Sequence, residues 1–213
     1  MNLEDLRYMY TETPPKKVSP EVESDRDVLT IPEYIKYDPE IVGYPDTDMQ
    51  RDIYNWALEG LNLIGKRVLD VGAGRGDLFP LLSFINDYIG FETKQFLCTA
   101  GQSNHGHDRR FNLLCSDYLE TELSEKVDVA FVIGTLNSTH SGDKWETFLK
   151  FFRKICNDCN DSIIFILNRA TEDENFNDFP FDDLFANILS DTKTPFKIDY
   201  SRFEDVYKLT VFK

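Results

Sequence analysis

Several kinds of residue are scarce in this chain, and each scarcity closes off a class of function. No apolar run in its 213 residues approaches the roughly 20 needed for a helix to cross a bilayer. Basic residues are outnumbered, 23 Lys and Arg against 38 Asp and Glu, for a formal net charge of -15. Phosphate neutralisation supplies much of the affinity of proteins that hold long nucleic acids, so nucleic acid is not the expected partner. Lys144, Lys150, Arg153 and Lys154 do share one predicted helix, but they alternate with apolar positions and read as its solvated face. The first residues, Met1 to Leu6, have no basic region followed by an apolar stretch. No secretory signal is therefore read, and a cytoplasmic location is expected. The chain shows no internal repeats and no low-complexity tract.

Cysteine is also sparse, at four residues. Cys115 lies in an apolar strand pattern and reads as core, while Cys156 and Cys159 form a lone C-x-x-C. Zinc would need two further ligands, for which His105 and His107 are the candidates. The sheet order argued below separates those two pairs by four strand steps, about 19 Å at roughly 4.8 Å per step. No metal site is expected.

What the chain does have is alternation. Apolar strand patterns occur at Val68–Val71, Tyr88–Glu92, Asn112–Ser116, Val127–Ile133, Ser162–Leu167, Phe196–Tyr200 and Val206–Phe212. Between them lie helical patterns: a helix from Asp46 or Asp48 to about Gly65, a stripe of Leu78, Leu81, Leu82 and Ile85, and a helix over Lys94–Gln102. Further on, Asp143 caps a long helix faced by Trp145, Phe148, Leu149, Phe152 and Ile155, and a last helix carries Leu184, Phe185 and Ile188. Such alternation implies an α/β fold, a doubly wound and mostly parallel sheet. The final two strands have no helix between them and must form an antiparallel hairpin.

The first 30 residues are polar and proline-containing and read as a flexible arm. Residues 31 to 45 follow with Tyr34, Tyr37 and Tyr44 among three prolines. They are expected to pack over the rest as a lid, or else on a helix. The division expected is thus an extension over residues 1–45 and a domain over 46–213.

The densest signal is Asp70-Val71-Gly72-Ala73-Gly74-Arg75-Gly76-Asp77, an apolar strand that breaks into alternate glycines before a helical pattern. Such a turn lets a ligand lie against bare backbone, with helix N–H groups facing it. A dinucleotide fingerprint would want Gly-x-Gly-x-x-Gly. Here the third glycine falls one place early and Asp77 takes its slot, which disfavours a nicotinamide-dependent oxidoreductase. The pattern resembles motif I of the class I S-adenosylmethionine-dependent methyltransferases at Asp70, Gly72, Gly74 and Gly76. The seven predicted strands resemble that family's sheet, ordered 3-2-1-4-5-7-6, from about Met49 to Lys213.

The resemblance implies S-adenosyl-L-methionine as cofactor, held by Asp70, Gly72, Ala73, Gly74, Gly76 and Asp77 of the turn. Glu92, ending the second strand, would accept from both ribose hydroxyls; the alternative is a solvated strand end. Asp117 would accept from the adenine amine, with Tyr118 against the ring; the alternative is a helix cap. Ile133 and Gly134 would offer carbonyls to the cofactor ammonium. Asn137 and His140 would face the acceptor as candidate catalytic residues, although a lone histidine such as His140 is more often a surface or structural residue than a base. The loop after the fourth strand has neither the Asp/Asn-Pro-Pro-Tyr/Phe nor the Pro-Cys of base-modifying members, so the acceptor expected is a small molecule or a protein side chain. The alternative function is a methyltransferase-like binding or regulatory module without catalysis. The acidic loop 168–176 would attract a cationic acceptor or is simply solvated.

Overall fold

A computed structural model of the chain describes residues 31–137, 143–169, 176–191 and 193–213. The helices are α1 (Glu33–Tyr37), α2 (Thr47–Leu58), α3 (Gln95–His105), α4 (Lys144–Asp158) and α5 (Phe181–Asp191). The strands are β1 (Arg67–Val71), β2 (Asp87–Glu92), β3 (Phe111–Cys115), β4 (Val127–Ile133), β5 (Cys159–Asn168), β6 (Phe196–Asp199) and β7 (Val206–Phe212). They form one seven-stranded sheet in the order β3-β2-β1-β4-β5-β7-β6, as expected. All pairings are parallel except those of β7, which runs antiparallel to both β5 and β6.

Each face of the sheet carries its own core. Met49, Ile53, Tyr54 and Trp56 of α2 pack with Cys98 of α3 against Val68, Val129 and Ile164. Phe148, Phe151, Phe152 and Ile155 of α4 pack with Leu184 and Ile188 of α5 against Leu69, Ala130, Ile163 and Leu209. Burial on both sides explains why β4 and β5 are almost continuously apolar.

Three local expectations are corrected. The stripe Leu78, Leu81, Leu82 and Ile85 is not an α-helix; it holds only a 3-10 turn, Phe79–Leu81. Pro80 has no N–H for the helical ladder, and the segment closes instead by i to i−3 bonds: Phe79 N to Gly76 O at 3.0 Å, Leu82 N to Phe79 O at 3.0 Å. Second, α2 stops at Leu58, short of Gly65. The buried Lys208 ammonium donates to the carbonyls of Trp56 (2.6 Å) and Glu59 (3.0 Å), and so completes the C-terminus. Third, Cys115 was read as core, yet it is exposed, because β3 is an edge strand of the sheet. Residues 31–45 were expected as a lid or as packing on a helix, and Tyr44 takes the second course, buried edge-on against Tyr54 of α2, 5.7 Å between centroids.

Candidate functional site

In an open sheet of this kind, ligands bind outside the carboxyl ends of the strands where the order reverses, here between β1 and β4. The glycine turn leaves β1 at that point, with φ of 75° at Gly72, 57° at Gly74 and 76° at Gly76. Gly72, Ala73 and Gly76 do not turn their N–H groups to a ligand as a helix start would. Gly72 N and Ala73 N both donate to the Phe91 carbonyl (2.8 and 2.9 Å), Gly76 N donates to the Ala73 carbonyl (2.8 Å), and no α-helix follows. What the glycines of the turn allow is close approach by other parts of the chain. A Cβ on Gly74 would lie 3.0 Å from Val42 Cγ1, so this glycine is covered from the N-terminal segment. A Cβ on Gly76 would enter the Phe111 ring at 2.5 Å, so this one lets the turn settle on the aromatic stack of Tyr88 and Phe111.

Three carboxylates stand at adjacent strand ends. Asp70 is buried, and its Oδ2 accepts from Tyr88 Oη at 2.6 Å. Burial raises its pKa to about 7; the Tyr88 hydrogen bond opposes the shift, while the charges of Glu92 and Asp77 add to it. Glu92 is also buried. Its Oε2 accepts from Gly74 N (3.0 Å) and its Oε1 from Thr93 N and Lys94 N (2.8 Å each). With a longer bond from Thr93 Oγ1 (3.5 Å), Oε1 takes three donors and Oε2 one, which leaves about one of the roughly four lone-pair sites, on Oε2. Reaching both ribose hydroxyls would therefore require Gly74 N to let go. Asp117 is exposed, and its Oδ1 caps the 3-10 turn Tyr118–Glu120 by accepting from Leu119 N at 2.8 Å. The cap expected as the alternative is formed, and the second oxygen makes no hydrogen bond among the described residues.

Three of the expected side chains are engaged elsewhere. Asp77 turns to the buried Arg75: its Oδ2 accepts from Nη2 (2.6 Å) and Nε (3.1 Å), and also from Gln50 Nε2 (3.1 Å). The ring of Tyr118, 2% exposed, points into the α4 core, edge-on to Phe91 at 5.3 Å. Its hydroxyl donates to Asp158 at 2.7 Å, and burial raises its pKa. Such a ring has no face for an adenine. Asn137 is buried with its Oδ1 accepting from Asn168 N (3.0 Å) and its carbonyl from Asn177 N (2.7 Å), while Asn168 Nδ2 donates to the Asn177 carbonyl (3.3 Å). Three asparagines thus tie the loop after β4 to the end of β5, with Asn137 engaged through its Oδ1 and its backbone carbonyl.

The same loop begins at Ile133 and at Gly134, whose carbonyl accepts from Asn137 N at 2.9 Å. Thr135 donates to the Val71 carbonyl at 2.7 Å and lies against Gly72, closing the loop onto the glycine turn. His140 and most of the acidic loop, residues 170–175, lie outside the described residues. Among the described residues, no three His, Cys, Asp or Glu side chains converge as a metal site would need.

No protein-family model matches the chain, and no curated protein matches it in sequence. Solved structures do match. The magnesium protoporphyrin IX methyltransferase of Synechocystis PCC 6803, with S-adenosylmethionine bound, superposes with a TM-score of 0.60 at 14% identity, over 89% of this chain and 86% of that one. The N-methyltransferase NodS of Bradyrhizobium japonicum WM9 does so with a TM-score of 0.56 at 11% identity, over 79% and 98%. A ribosomal protein methylase of Lactobacillus delbrueckii subsp. bulgaricus gives 0.56 at 15% identity, over 78% and 79%. The chain has the class I methyltransferase fold.

Within the methyltransferase fold, the sequence pattern did not reveal Arg75, Gln50, Thr135 and Val42 as the residues that brace the glycine turn. Only Arg75 left a trace, a cation two residues from Asp77 inside the motif. Gln50 and Val42 come from segments more than 25 residues away, and nothing local marks them.

Proposed function

We propose that the chain is an S-adenosylmethionine-dependent methyltransferase acting on a small molecule or a protein side chain. The observation that carries this reading is the set Asp70, Glu92 and Asp117 at the ends of β1, β2 and β3, beside the glycine turn. S-adenosylmethionine is cationic at sulfur and at its amine, so an acidic crevice attracts it, whereas the pyrophosphate of a dinucleotide would be repelled. Glu92 retains about one acceptor site for a ribose hydroxyl, and Asp117 has a whole oxygen for the adenine amine. The group, when bound, supplies an activated methyl on a good leaving group. The protein's work is then alignment of the acceptor and exclusion of water. Thr135 and the three asparagines hold the loop that would face the acceptor. The four cysteines are free thiols, which fits a reducing, cytoplasmic setting.

A second reading, a binding or regulatory module without transfer, draws on the engagement of Asn137 in the scaffold. Titration calorimetry followed by a labelled-methyl screen over cell-extract fractions separates the two. Binding of S-adenosylmethionine and S-adenosylhomocysteine is expected at about micromolar Kd, roughly 8 kcal/mol, with none of NADH. Glu92→Gln should lower that affinity by about 1.5–3 kcal/mol. Binding without any labelled product would favour the module. NADH binding without S-adenosylmethionine binding would remove both.

A further inference from the structure

The guanidinium of Arg75 is 1% exposed and donates to two backbone carbonyls of the N-terminal segment, Ile35 at 2.9 Å and Asp38 at 2.8 Å, through one nitrogen. Its other nitrogens hold Asp77, which Gln50 of α2 holds in turn. Two of these four hydrogen bonds thus fasten a segment about 40 residues upstream, while the other two hold the guanidinium on Asp77. Apolar burial holds only the end of that segment, where Tyr44 packs on Tyr54 and Val42 on Gly74. Neither α1 nor the 3-10 turn Pro39–Val42 contains a buried residue, and Tyr34 and Tyr37 are 52% and 67% exposed. A cavity of about 400 Å³ lies between Lys36 and Tyr37 on one side and Pro80 and His105 on the other. Asn104 Nδ2 adds one bond to the Lys36 carbonyl at 3.0 Å, and Val42 lies on Gly74. Docking of residues 33–41 by direct hydrogen bonds beside an open cavity, with no buried side chain of their own, is the signature of a locally weak unit that opens without global unfolding.

We propose that Arg75 is a positioning residue that latches residues 31–45 onto the glycine turn, so that docking of the segment and occupancy of the cofactor crevice stabilise each other. The inference rests on the functional reading above for its ligand, though not for the latch. Gly74 is held on one side by the Glu92 carboxylate and covered on the other by Val42. A ligand that fixes Glu92 and the turn therefore fixes the surface on which the segment sits, and linkage makes the effect reciprocal.

Hydrogen exchange of the full chain tests this, with and without S-adenosylhomocysteine. Arg75→Lys keeps a charge but cannot fork to two carbonyls and a carboxylate. A double variant, Arg75→Met with Asp77→Asn, removes the pair without stranding a buried charge, which guards against simple unfolding. In both, amides of residues 35–44 should exchange faster while β1 and β4 amides keep their protection. S-adenosylhomocysteine should slow exchange at 35–44 in the native protein, and its Kd should rise about tenfold in the variants, within the usual range of such couplings. Unchanged exchange at 35–44 in both variants overturns the latch. Fast exchange with an unchanged Kd overturns the coupling. If the native chain binds no S-adenosylhomocysteine, the functional reading and the coupling both fail, and exchange in the unliganded variants still decides the latch.

Discussion

Asp70 shows how one residue joins the fold to the site. Burial lifts its carboxyl to about pH 7, above the usual unfolded value of about 3.9. A folded pKa above the unfolded one means that the native state holds the proton more tightly. Its contribution to stability is therefore full below about pH 4 and is lost as pH rises through 7, at a slope of up to about 1.4 kcal/mol per pH unit. Asp70→Asn fixes the protonated form in near-isosteric shape. Urea midpoints measured from pH 4 to pH 8 should show the native protein losing stability relative to this variant across that window; parallel curves would mean that Asp70 is already ionised at low pH. Tyr118 makes the opposite case, a residue beside the crevice that belongs to the core. Tyr118→Phe leaves Asp158 with only Lys154 and should cost about 1–2 kcal/mol of stability with no change in cofactor Kd. Asp117→Ala should do the reverse, weakening adenosine compounds while the melting temperature moves little. If the Tyr118 change weakens binding and spares stability, the ring does face the ligand.

At the scale of elements, the strands were legible because β4 and β5 carry both-face burial as almost continuous apolar runs, whereas their order came from the resemblance to the methyltransferase family. The turn after β1 was legible in its glycines and illegible in its sequel. Leu78, Leu81, Leu82 and Ile85 satisfy helical spacing, but the same burial is reached by a 3-10 turn, and Pro80 forbids the helical ladder. Side-chain direction was the other blind spot. Sequence places Asp117 and Tyr118 side by side, yet one faces solvent and the other the α4 core. It places Asn137 in the acceptor loop, yet its partner donates from Asn168, 31 residues on. The end of α2 was missed for the same reason, since its cap arrives from β7, 149 residues beyond Glu59. Lys208→Met should leave the Trp56 and Glu59 carbonyls without that donor and cost about 1–3 kcal/mol by urea unfolding with an unchanged slope. No loss would show that water or a frayed last turn serves the carbonyls equally well.

At the scale of the molecule, all seven strands lie within residues 46–213, while the segment before them adds Tyr44 to one core and meets the site through Arg75 and Val42. A chain beginning at residue 46 keeps every strand and the helices α2 to α5. It loses the burial of Tyr44 on Tyr54 and the two carbonyls that Arg75 holds. Exposing one such aromatic contact is worth about 2–3 kcal/mol, so the melting temperature should fall by about 5–10 °C with the fold retained by circular dichroism. The decisive measurement is a cycle on cofactor affinity, comparing the truncation, the Arg75→Met with Asp77→Asn variant, and both together. If Arg75 acts only by holding the segment, each change removes the same interaction, and the combined chain should bind S-adenosylhomocysteine no more weakly than the truncation alone. Independent effects would add instead, leaving the combined chain weaker by the product of the two fold-changes. Additivity would place the influence of Arg75 within the glycine turn itself and make the N-terminal segment a separate contributor.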